Sequence, residues 1–177
     1  MLDLAAAAPA DYAASMPISL ATQQRRQARV LVFGYGNPGR QDDGLGPAAA
    51  AGIEALGWPD VTAMDNYQLS IEDAVDIAAH DVVWFVDAAR VGAAPFSVTR
   101  LTPAATYEFT SHLIRPEAIL ALADRCYGRT PKAFLLAIRG YEFAFIEAIT
   151  PQAEQNLKSA LGALSILIRT AQMEVVS

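Results

Sequence analysis

Apolar residues along this chain fall in two rhythms. Short unbroken runs of β-formers occupy residues 29–33, 61–64, 82–86 and 133–138. Runs of this kind, closed by glycine or polar residues, are the pattern of strands buried on both faces. Residues 96–101 alternate instead, as an edge strand does. The intervening segments carry helical spacing. Residues 46–56 predict a helix with Pro47 in its first turn and Gly57 at its end. Ser70 caps a second helix with Ile71, Ala74, Val75 and Ala78 at apolar positions, ended by His80 and Asp81. Residues 114–126 predict a third, and Thr150 with Pro151 opens a last helix running to about residue 170.

Strands alternating with helices predict an α/β fold, a mainly parallel sheet covered on both faces. Ligands in such folds sit beyond the carboxyl ends of the strands, near a switch in strand order. The loops 34–46, 65–68 and 87–90 each follow a predicted strand, so all three are expected to open at the same end of the sheet.

Composition narrows the function classes. The chain has 177 residues with an apolar share of 53%, enough for one domain, expected over residues 28–177. Residues 1–27 read as an alanine-rich extension; its arginines follow the apolar stretch, the reverse of a secretory signal. A net charge of −6 speaks against nucleic acid as partner. The longest apolar run, residues 160–168, falls short of the ~20 residues of a membrane span. A lone cysteine, Cys126, fits a reducing compartment, and the expected location is cytoplasmic.

The loop after the first strand reads Gly-Tyr-Gly-Asn-Pro-Gly-Arg-Gln-Asp-Asp-Gly-Leu-Gly from Gly34 to Gly46. Gly34, Gly36 and Gly39 have the spacing of a dinucleotide fingerprint. Pro38, Arg40 and Gln41 then delay the helix that would receive a pyrophosphate, and Asp42 and Asp43 would repel it. Two carboxylates suit a divalent cation better, although a helix cap or a solvated turn also explains such a pair.

In this order, the string closely resembles the N-terminal signature of the hydrogenase maturation endopeptidases. The resemblance extends from Arg29 to about Leu157 through Val86-Asp87-Ala88, Ser111-His112, Arg139-Gly-Tyr-Glu-Phe143 and Thr150-Pro-Gln-Ala. It implies a three-layer α/β protease domain of the phosphorylase/hydrolase-like kind. It also implies an enzyme that trims the C-terminal extension of a nickel-iron hydrogenase large-subunit precursor after nickel insertion. The family's metal-binding acids and histidine map onto Asp43, Asp65 and His112, which are also the candidate catalytic residues. At the second acidic position Gln68 is the alternative, because Asn66-Tyr67-Gln68 replaces the usual Gly-Gly-Thr. The nickel would arrive with the substrate. No His-Glu-x-x-His motif is present, so a resident catalytic zinc is not expected.

Other residues have plainer readings. His80 suits a helix end, Asp87 a loop-anchoring hydrogen bond, and Cys126 packing on an apolar helix face. Arg40 either steers the carboxyl end of the substrate or pairs with Asp42. Two alternatives stand beside this reading: a non-catalytic nickel-sensing or chaperone-like maturation partner, and a dinucleotide-binding oxidoreductase, against which the paired aspartates argue.

Overall fold

The computed structural model describes residues 26–104 and 114–173. His112 lies outside the described residues, as does nearly all of the predicted N-terminal extension. Strands β1 (Val30–Tyr35), β2 (Val61–Asn66), β3 (Val82–Ala89), β4 (Phe96–Leu101) and β5 (Lys132–Arg139) form one sheet in the order β2-β1-β3-β5-β4. All neighbouring pairs are parallel except β4 with β5, so β4 is the antiparallel edge that its alternation predicted. Strands β1, β2, β3 and β5 begin or end beyond the predicted runs. The extensions matter, because Asp65 and Asp87 become strand residues with a fixed face.

Alternation along the strands divides the core in two. Val30 and Val32 of β1, with Val82, Trp84 and Val86 of β3, pack against helices α1 (Leu45–Glu54) and α4 (Pro151–Met173). Leu31, Phe33, Val83 and Phe85 face the other way, against α2 (Ala74–Ala79) and α3 (Pro116–Tyr127). Three layers result. Helix α4 buries Ala153, Asn156, Ala160, Leu164, Ile168 and Gln172, a stripe at steps of three and four that lies along α1. No helix among the described residues is long and apolar enough to cross a membrane.

Two expectations need correcting. Helix α2 is preceded by a 3-10 turn at Ile71–Asp73, held by a capping box between Ser70 and Asp73. The tighter turn rotates the face, so Ile71 and Val75 are exposed and the buried positions are Ala74, Ile77 and Ala78. Cys126 is exposed rather than packed, because the last turn of α3, from Asp124 onward, is all exposed.

At the amino end of the sheet Asp81 accepts hydrogen bonds from the Arg26 and Arg129 guanidiniums and from the Arg29 backbone N–H. The bonds from Arg26, assisted by Arg29, outweigh burial and hold its carboxyl well below the usual range. His80 bridges the Asp76 carbonyl and the Thr62 hydroxyl through its two ring nitrogens, at 2.6 and 3.0 Å, a helix-end role like the one expected.

Candidate active site

From β1 the chain crosses to β2 on one side and then returns past β1 to β3 on the other. The loops that follow β1 and β3 therefore flank a switch in strand order, where a parallel sheet opens a crevice. Gly34 is in register with both Asp65 of β2 and Val86 of β3, so the three predicted loops do open at one end.

The glycines of the signature loop bring backbone onto backbone. A side chain at Gly46 would put its Cβ 2.3 Å from the Tyr35 carbonyl oxygen and 2.6 Å from that of Val86. At Gly34 the Cβ would lie 2.1 Å from the Gly46 carbonyl oxygen, and at Gly36, with φ +140°, 2.0 Å from that of Asp43. The start of α1 thus lies directly on the ends of β1 and β3. The fingerprint spacing serves this packing, which leaves Gly34, Gly36 and Gly46 occupied by the chain's own backbone.

A 3-10 turn at Gln41–Gly44 leads into α1 and sends the two aspartates to different places. Asp42 is fully buried. Its Oδ2 accepts from the Tyr141 N–H at 2.7 Å, the Glu142 N–H at 3.1 Å and the Thr150 hydroxyl at 2.9 Å, while Oδ1 accepts from the Thr150 N–H at 2.7 Å. Burial opposes its charge, but these four bonds outweigh burial and lower its pKa. With its lone pairs engaged, Asp42 ties the signature loop to the segment 140–150. Gln41 adds to the tie, its amide donating to Glu142 and accepting from the Ala144 N–H.

Asp43 is only partly buried and accepts one backbone hydrogen bond, from Asn37 at 3.2 Å. Its charge reaches the carboxyl of Asp87. That carboxyl, part-buried near the end of β3, is pushed up to about 6, chiefly by desolvation, with the negative charge of Asp43 adding to it. Hydrogen bonds from the Ala88 N–H and the Tyr35 hydroxyl moderate the rise. The Tyr35 hydroxyl is in turn held well above its ordinary range by burial and by Asp87. A pair of carboxylates sharing one crevice is an arrangement that a divalent cation relieves.

Asp65 lies near the carboxyl end of β2. It is in phase with Val61 and Ala63, which pack toward α1, whereas Asp87 is in phase with Val83 and Phe85 on the α2 and α3 side. Asp65 is exposed and opens on a cavity of about 500 Å³ that it shares with Pro38, Gly44, Pro47 and Glu147. Gln68 is exposed in the loop after β2. No group of three or more potential metal ligands is assembled among the described residues, and His112 is not one of them. Asp87, assigned from sequence to a local hydrogen bond, makes that bond and is also reached by the charge of Asp43. The signal available in sequence was its place directly after the clearest buried run.

Arg40 does not pair with Asp42, whose oxygens are filled by other donors. It donates to the Phe143 carbonyl at 3.3 Å and lies over the Phe145 ring.

Fold and site together define an α/β protein with Asp43 and Asp87 at the loops that flank its topological switch point. No protein-family model and no curated protein matches the sequence. Solved structures do match. The hydrogenase maturating endopeptidase HybD of E. coli is 25% identical with a TM-score of 0.60, over 83% of this chain and 94% of that one. The [NiFe] hydrogenase maturation protease HycI of Thermococcus kodakarensis KOD1 is 20% identical with a TM-score of 0.65, over 81% and 94%. The hydrogenase 2 maturation peptidase of Thaumarchaeota archaeon SCGC_AB-539-E09 is 23% identical with a TM-score of 0.60, over 79% and 97%. In fold the chain is similar to these hydrogenase maturation proteases.

Proposed function

We propose that this chain is an endopeptidase that removes the C-terminal extension of a nickel-iron hydrogenase large-subunit precursor, and that it acts on the precursor once nickel is bound. The observation that carries this reading is the likeness in fold to proteins described as maturation proteases, with Asp43 and the part-buried Asp87 near enough for one charge to act on the other at the switch point. Nickel held by the precursor would meet two carboxylate groups whose mutual repulsion and desolvation it relieves. A precursor without the ion would meet the same groups unscreened. The metal then reports that the precursor is loaded, and beside the scissile bond it supplies Lewis-acid polarisation of the carbonyl.

His112 enters the reading by resemblance as a further ligand, as do Asp65, near the end of β2 and facing the cavity beside α1, and its alternative Gln68 in the loop that follows. The dinucleotide alternative is weakened by the glycines, which are used for backbone packing, and by two aspartates in the turn that opens α1.

The deciding experiment incubates the purified protein with nickel-loaded and nickel-free precursor and looks by mass spectrometry for one released C-terminal peptide. Release from the loaded precursor alone is expected, with Asp43→Asn, Asp87→Asn and His112→Ala each abolishing it. Comparison of Asp65→Asn with Gln68→Ala separates the two candidates after β2. Tight capture of loaded precursor without cleavage would assign a non-catalytic nickel-sensing partner instead. A rise in thermal midpoint with a dinucleotide, and no cleavage, would assign an oxidoreductase.

A further inference from the structure

Three arginines stand at the carboxyl end of the sheet, each over an aromatic ring of one short segment. Arg139, at the end of β5, lies 5.3 Å from the centroid of the Tyr141 ring. Arg90, just past β3, lies 4.1 Å from that of Phe143. Arg40, in the loop after β1, lies 4.8 Å from that of Phe145. Residues 141, 143 and 145 thus carry a guanidinium apiece, drawn from three different strand ends. The segment itself is fixed by the bonds that Asp42 and Gln41 make to it.

None of the three guanidiniums is within salt-bridge distance of a carboxylate among the described residues. Their protein partners are neutral. Arg139 donates to the Arg90 carbonyl and Arg40 to that of Phe143. The Arg40 Nε is buried and has no partner. Arg40, Arg90 and Arg139 thus gather three cationic groups on one segment of a chain whose net charge is −6. A guanidinium stacked on a ring spends its face on the aromatic and keeps N–H donors at its edge, a geometry that matches carboxylate.

We propose that Arg40, Arg90 and Arg139 form an anion-receiving strip that holds a carboxylate of the substrate polypeptide, either an acidic side chain or the terminal carboxylate. The inference deepens the endopeptidase reading and rests on it for the identity of the polypeptide. Three cations match one or two carboxylates. A nucleic-acid strand would need a longer basic track than the acidic remainder of the surface provides.

The test uses short fluorescein-labelled peptides and the full chain, read by anisotropy. One peptide carries glutamates and a C-terminal amide, the second glutamines and a free C-terminus, and the third glutamines and an amide. Binding of the first or second about tenfold or more tighter than the third is expected, and which of the two binds identifies the source of the carboxylate. Arg90→Gln, at an exposed position, and Arg139→Gln should erase that difference, while Arg90→Lys retains part of it. Equal binding of all three peptides overturns the proposal, as does an undiminished difference in both glutamine variants. Tighter binding of a short oligothymidylate than of either acidic peptide also overturns it. No cleavage enters this readout. If precursor processing fails while the charge-dependent difference stands, the endopeptidase reading falls alone; if processing succeeds and the peptides bind equally, the strip falls alone.

Discussion

Replacing Asp42 with asparagine tests whether this residue is an anchor, as its four hydrogen bonds state, or part of the chemistry. The substitution keeps the shape. If the amide oxygen takes the place of Oδ2, it still accepts from Tyr141, Glu142 and the Thr150 hydroxyl, but as a neutral acceptor. Bonds to a charged group contribute about 1.5–3 kcal/mol and neutral ones about 0.5–1.5, so three weakened bonds lose roughly 3 kcal/mol between them. The amide nitrogen then meets the Thr150 N–H donor to donor, and a buried orphan donor costs about 1–3 kcal/mol. Relief of the desolvated charge offsets part of the loss, and bonds within one network do not add in full. Asp42→Asn should therefore destabilise by about 2–4 kcal/mol. Urea titration is the assay, with a lower midpoint at unchanged slope.

The same pair of proteins gives a pH test. Asp42 has a lowered folded-state pKa, so its contribution is present above the unfolded value of about 3.9 and is lost as pH falls through the folded one. The gap between wild type and Asp42→Asn should be flat from neutral pH to about 5 and shrink below it. Asp81, whose pKa is also lowered, is common to both proteins and cancels in the difference. A variant within about 0.5 kcal/mol of wild type that had nevertheless lost precursor processing would refute the anchor assignment and move Asp42 into the site.

Asp87→Asn should act in the opposite direction on stability. A carboxyl whose folded-state pKa is about 6 favours the folded state at low pH, and this advantage is lost as pH rises from the unfolded value through 6. The asparagine variant should therefore be roughly 1–3 kcal/mol more stable than wild type at pH 7, while processing is abolished; equal or lower stability by thermal melting would count against the buried pair. Gly46→Ala must push backbone carbonyls of Tyr35 and Val86 aside, and should cost about 3 kcal/mol or more in the same melts. Gly162→Ala on α4 meets nothing within 4 Å and should instead stabilise by about 0.5–1 kcal/mol.

The layer order and the end of the sheet that carries the site were legible in the pattern of apolar runs, because a strand buried on both faces needs no partner to be recognised. The assignment of individual carboxylates was not. Asp42 and Asp43 are neighbours of one residue type in a 3-10 turn, where successive side chains are about 120° apart. One must point inward and the other toward the crevice, yet the donors that decide which lie roughly a hundred residues along the chain. Asp65 and Asp87 present the same difficulty in a sheet. Runs read as ending at 64 and 86 leave both residues in loops with no face. Strands that continue to Asn66 and Ala89 give each a face by alternation, and the two faces are opposite. The extra pairing of β3 comes from β5, which stays in register with it through Asp87, Ala88 and Ala89. A local reading of β3 cannot contain that partner. The face that Asp87 takes is consequently set by where β5 ends, and Asp65 is turned to the cavity beside α1.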